Sequence, residues 1–144
     1  MSAMSDYLEN KLIDHIFRAA TFSKPAALHV ALYTAAPSDA GGGTEVSGGS
    51  YARVQRDPAD ANWAATQGGV SGNSSGTGGA TSNAAALTFP APTANWGAIT
   101  HVAILDAASG GNFLFWGALT TPKTVNNGDP APSFAVGALV ATLA

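Results

Sequence analysis

The apolar pattern of the chain begins with a helical period and then switches to a period of two. Over residues 6–20, Leu8, Leu12, Ile13, Ile16, Phe17 and Ala20 fall on one stripe, with Glu9, Asn10, Asp14 and Arg18 opposite, which predicts an amphipathic helix. Asp6 with Glu9 three residues on forms a capping-box pattern, Ser5 is an alternative cap, and Asp14 and Arg18 stand at the i,i+4 spacing of an ion pair. Pro25 bars continuation, so the helix is expected to end near Thr21. A lone helix ahead of a β-rich chain must bury its stripe, either on its own sheet or on a neighbouring subunit. Leu8, Leu12 and Ile16 are the contact candidates on that stripe.

From Leu28 to Thr34 the alternation of Leu28, Val30 and Leu32 with His29, Ala31 and Tyr33 predicts a half-buried strand. Pro37, Ser38, Asp39 and the triplet Gly41–Gly43 end it, and a second strand is expected over Tyr51–Gln55, closed by Asp57-Pro58. The stretch between them is too long for a tight hairpin and long enough to be a functional feature or a flexible tip. Residues 65–86 are low in complexity and nearly free of large side chains, which predicts an exposed, flexible Gly/Ser-rich loop with extended fragments at its ends.

Leu87–Phe89 opens a strand that Pro90 and Pro92 break. Trp96–Leu105, with Ile99, Val102, Ile104 and Leu105, is the strongest strand pattern in the chain; Asp106–Gly111 turns it back onto Phe113–Leu119, giving a central hairpin. Lys123–Val125, a turn at Asn126–Asp129, Phe134–Val136 and Leu139–Leu143 complete the pattern, and the last run is expected to be tied into a sheet. The fold expected is mainly β: one domain over residues 1–144, an antiparallel sandwich (jelly-roll or immunoglobulin-like) of about seven or eight short strands with one N-terminal amphipathic helix.

Charge changes the picture most. Only 10% of residues are charged, against about 25% in ordinary soluble domains. Residues 61–144 contain only Asp106, Lys123 and Asp129. Without charge repulsion to keep copies apart, such a surface favours association, which predicts a homo-oligomer or a subunit of a larger assembly. A net charge of −3 with no basic cluster argues against nucleic acid. No cysteine is present for a disulfide or thiolate site. The opening MSAMSDYLENK lacks a signal-peptide pattern and no apolar run is long enough for a membrane span, so synthesis in a cytoplasm without membrane insertion is expected.

Candidate chemistry is sparse. His15, His29 and His101 have no second ligand at a useful spacing, so no metal or cofactor is expected. Gly72-Asn73-Ser74-Ser75-Gly76 matches the nucleophile-elbow string but lacks the strand and helix that would strain it, and Gly41–Gly43 lacks the lysine and helix of a phosphate cradle. The carboxylates Asp39, Glu45, Asp57, Asp60, Asp106 and Asp129 lie in expected loops or strand ends, with no pairing for acid–base work; no enzyme activity is expected. Trp96 and Trp116 belong to apolar strands, whereas Trp63 sits in a polar stretch and is the aromatic free to make a contact, including stacking on a glycan.

LYTAAPSDAGGGTEVSGGSYAR at 32–53, WGAITHVAILDAASGGNFLFWGAL at 96–119, VNNGD at 125–129 and FAVGAL at 134–139, with DYLENKLIDHIFR at 6–18, resemble a family of small tailed-bacteriophage virion proteins commonly labelled tail fibre proteins. The resemblance implies a structural, tail-associated component of the virion, made in the bacterial host cytoplasm, with other virion proteins as partners. A related use it implies is a capsid decoration protein bridging major capsid subunits; the aromatic residues, Trp63 foremost, give a further alternative, a glycan-binding host-recognition module.

Overall fold

A computed structural model describes residues 3–143. Among them, in chain order, are β1 (Ala3–Met4), α1 (Asp6–Phe17), β2 (His29–Ala35), β3 (Thr44–Glu45), β4 (Val54–Gln55), β5 (Ala80–Ser82), β6 (Leu87–Thr88), β7 (Gly97–Leu105), β8 (Phe113–Val125), β9 (Ser133–Phe134) and β10 (Val140–Thr142). Six strands form the main sheet in the order β1-β8-β7-β2-β3, with β4 also on β2. β5 with β10, and β6 with β9, form two short ribbons, and every pairing is antiparallel. Val30, Leu32, Ile99, Val102 and Ile104 from the sheet meet Leu87, Phe89, Leu139 and Ala141 from the ribbon side in one buried cluster. The layers are compatible with a β-sandwich, with more strands than the sequence pattern suggests, seven of them only two or three residues long.

The β7–β8 hairpin is where the sequence places it, but β8 is a single strand of 13 residues rather than Phe113–Leu119 followed by a separate Lys123–Val125. The register sets His101 opposite Ala118 and Ile99 opposite Lys123, so Leu119–Pro122 stand against Thr100 alone. That bulge takes Pro122, which has no N–H to give, out of the ladder and lets the strand run on.

β2 is buried on both faces rather than half-buried: Ala31 and Tyr33 pack with Ala103, Leu105, Phe113 and Trp116 on the side away from the main core. The 36–43 connection lies over this face. Trp116 Nε1 donates to Asp39 Oδ1 at 3.0 Å, and a Cβ on Gly41 (φ 93°) would stand 3.1 Å from the Phe113 ring, so glycine lets the backbone pass. The partner of β2 is also not the continuous Tyr51–Gln55 strand expected. β3 and β4 pair with successive parts of β2, and the chain leaves the sheet between them. In that gap the Tyr51 hydroxyl accepts the Leu32 N–H at 2.9 Å, a side chain filling a missing rung.

α1 is capped by Ser5, the alternative cap, rather than by an Asp6–Glu9 capping box, since Asp6 is already the first helical residue; the Ser5 Oγ accepts the Leu8 N–H at 3.2 Å and donates to the Phe113 carbonyl. It stops at Phe17 rather than near Thr21, because His15 Nδ1 accepts the Phe22 N–H at 3.1 Å and folds the following chain back. Asp14 and Arg18 form the expected ion pair, at 3.2 Å. Within the 65–86 stretch residues 67–79 are exposed, and the remainder supplies β5 and the fully buried Asn83.

Candidate assembly surface

The apolar stripe of α1 divides in two. Ser5 N donates to Leu114 O and Asp6 N to Asp39 O, both at 3.0 Å, which pins the start of the helix against the end of β8. Leu8 is 7% exposed and belongs to the chain's own core, with Tyr7 and Leu12 packed beside it. One turn further the helix has left the sheet: Ile13 is 50%, Ile16 63% and Phe17 80% exposed. Of the contact candidates on the stripe, Leu8 is thus spent internally, Leu12 is partly buried and Ile16 is free to meet another molecule. Ile13 and Phe17 join it, a signal present in the helical period but decided only by where the helix leaves the sheet.

Trp63 is half-buried against the core, and its Nε1 donates to Arg56 O at 3.2 Å. A cleft of about 400 Å³ beside it is lined by Lys24, Asp60, Val70 and Asn73. A second cleft, of about 470 Å³, opens between the main sheet and the ribbons, with Ile99, Leu119, Lys123, Phe134, Leu139 and Val140 among its walls.

The polar side chains are largely occupied with structure. Asp106 accepts from Asn112 N and Nδ2 at 2.7 and 2.8 Å, and Asp129 accepts from Asn126 N at 2.8 Å, each closing a turn. His15 lies on α1, His29 is buried on β2, and His101 contacts Thr100 and Trp116 on β7. Among the described residues no three His, Cys, Asp or Glu side chains gather as a metal site. Ser74 accepts the Thr66 N–H within an exposed loop, with no base beside it among the hydrogen bonds of that loop.

Arg53 forms the densest polar cluster. Its Nε and Nη2 donate to the two carboxylate oxygens of Glu45, each at 2.8 Å, and Nη1 donates to Ala107 O and Gly110 O at 2.6 and 2.9 Å. The bond from Glu45 holds the guanidinium above its ordinary range. Burial, reinforced by the Glu45 charge, pushes the Tyr33 hydroxyl up to about 12 and raises Tyr51 as well. An unfolded tyrosine ionises near 10, so from there to about pH 12 the unfolded chain releases a proton that the folded chain keeps, and stability falls as pH rises. Tyr33 alone should remove about 2 kcal/mol by pH 12. Urea titrations at pH 9 and pH 11.5 should show a smaller alkaline loss in Tyr33→Phe than in the parent chain, and equal losses would rule out this tyrosine as the cause.

A family model described as Podophage GP4 fiber I protein gp80 matches residues 3–142. The chain belongs to that phage tail fibre family. Among curated proteins nothing matches it. The family match covers the capped helix, the main sheet and both ribbons. A member of this family is a structural, virion-associated chain. Phe17, at the end of α1, is the most exposed large apolar side chain among the described residues.

Proposed function

We propose that this fibre-family chain is a non-enzymatic structural subunit of a podophage tail, held in place by repeated contacts with copies of itself and with other virion proteins. The match to the fibre family over residues 3–142 carries this reading. Two physical features support it. Three charges in residues 61–144 leave little electrostatic barrier to close contact. Ile13, Ile16 and Phe17 present apolar surface that an isolated subunit gains nothing by exposing.

The decisive experiment locates a labelled copy on purified particles by electron microscopy. Density confined to the tail fits the proposal, even coverage of the head shell would move the chain to a decoration role, and absence would end the virion reading. A glycan array provides the test of host-sugar recognition, with Trp63→Ala as the control for any hit.

The double variant Ile16→Ser, Phe17→Ser should fold normally, because substitutions at such exposed positions change stability by only about 0.5 kcal/mol. Its incorporation into particles should nevertheless fall sharply, measured by quantitative mass spectrometry of purified virions. Unchanged incorporation would remove the end of α1 from the assembly.

A further inference from the structure

We propose that the chain contacts itself head to tail, the end of α1 from one copy seating in the cleft between the main sheet and the ribbons of the next. This rests on the subunit reading and adds the identity of the partner. The knob is Ile16 and Phe17, 63% and 80% exposed, in the last turn of α1. The receptor is the cleft of about 470 Å³ walled by Ile99, Leu119, Phe134 and Leu139, a size suited to a few apolar side chains.

Charge complementarity selects the helix end over other apolar occupants. Lys123 is the only lysine or arginine in residues 61–144, stands exposed at the cleft, and has no ion pair among the described residues. The last carbonyls of a helix carry roughly half a negative charge, the Arg18 N–H occupies only that of Asp14, and the Arg18 guanidinium is offset by the Asp14 carboxylate at 3.2 Å. A Phe17 side chain in the cleft would bring the carbonyls of the last turn of α1 towards the Lys123 ammonium. β8 also argues against a strand as occupant. Beyond β1, no strand pairs with its outer edge among the described residues, and along that stretch the strand itself is interrupted by the bulge against β7 at Leu119–Pro122, by the proline and by Lys123. These are devices that block strand addition while leaving the cleft open to side chains.

The contact joins two different patches, so it is heterologous and propagates a ring or a stack rather than closing a two-fold dimer. Its apolar area is small beside the roughly 800 Å² per partner of a standard interface, so a free chain should associate weakly and gain from alignment in the particle.

The chain has no cysteine, which makes a disulfide test clean. Phe17→Cys on one tagged copy and Thr121→Cys on a differently tagged copy are mixed under mild oxidation and also introduced together into particles. The mixed disulfide should exceed either same-site disulfide by about tenfold, and Lys123→Glu should reduce it by about tenfold without lowering Tm. Predominance of the Phe17→Cys homodimer would show a two-fold helix contact and overturn the proposal. So would tail-located particles in which the mixed disulfide does not form; there the subunit reading stands and the partner is a different protein. Co-purification of a small amphiphile, seen by native mass spectrometry and abolished by Leu119→Asp, would equally overturn it by giving the cleft another occupant.

Discussion

Replacing Asn83 by alanine is expected to lower the unfolding free energy by about 4 kcal/mol, from three backbone groups losing a buried partner at a cost of about 1–3 kcal/mol each, less relaxation. Asn83 is fully buried, its Nδ2 donating to Ala85 O at 2.9 Å and Ala135 O at 2.8 Å while Oδ1 accepts the Leu139 N–H at 2.8 Å. Its backbone completes the joint, donating to Leu139 O at 3.1 Å and accepting from Gly137 N at 2.8 Å. One side chain thus ties the end of the Gly/Ser-rich stretch to the segment between β9 and β10. In a domain of this size the loss corresponds to a fall in Tm of roughly 10–15 °C, read by calorimetry. Asn83→Asp separates lost bonds from a merely altered volume. The aspartate keeps the acceptor for Leu139 but turns a second oxygen towards two carbonyls, so its folded-state pKa is raised. Stability is then greatest below about pH 4 and is lost as pH rises through the raised value. A variant that instead tolerates Asp at neutral pH would show that the site admits water.

Asn83 also shows where reading residues in order runs out. It lies in a run of Ala, Gly, Ser, Thr and Asn whose composition predicts solvent, and only the return of residues 135–141 from far along the chain buries it. The β7–β8 hairpin was legible because a β-branched apolar run, a turn at Asp106–Gly111 and a second apolar run are local features. The start of α1 was legible for the same reason. The break between β3 and β4 was not, since a tyrosine hydroxyl standing in for a backbone acceptor has no sequence signature. The both-sided burial of β2 was hidden because Ala31 reads as neutral and the loop that covers it is polar. The exposure of the helix stripe was half legible. The helical period marked Leu8, Leu12 and Ile16 as one stripe, but which of them faces solvent depends on the anchors at Ser5 and Asp6, which bind backbone groups of Leu114 and Asp39.

Arg53→Ala should cost about 3 kcal/mol, below the 3–5 kcal/mol of a fully buried pair because Glu45 keeps contact with water. The Arg53 side chain is 7% exposed and that of Glu45 26%. Its loss strands a half-buried carboxylate and removes the donor shared by Ala107 O and Gly110 O, the contacts that fasten the β7–β8 turn to the edge of the main sheet. Hydrogen exchange at Asn112, whose N–H is held by Asp106 at 2.7 Å within this turn, should therefore accelerate more than at β7, a local effect that a general loss of stability would not give. Arg53→Lys should recover only part of the loss, since an ammonium cannot make the paired bonds of a guanidinium fork while also reaching two carbonyls. The double variant Glu45→Gln, Arg53→Ala should be less destabilised than the sum of the two single changes, because the glutamine leaves no charge uncompensated. If the two effects simply add, the Glu45–Arg53 pair contributes nothing as a pair, and the turn is held by the carbonyl contacts alone.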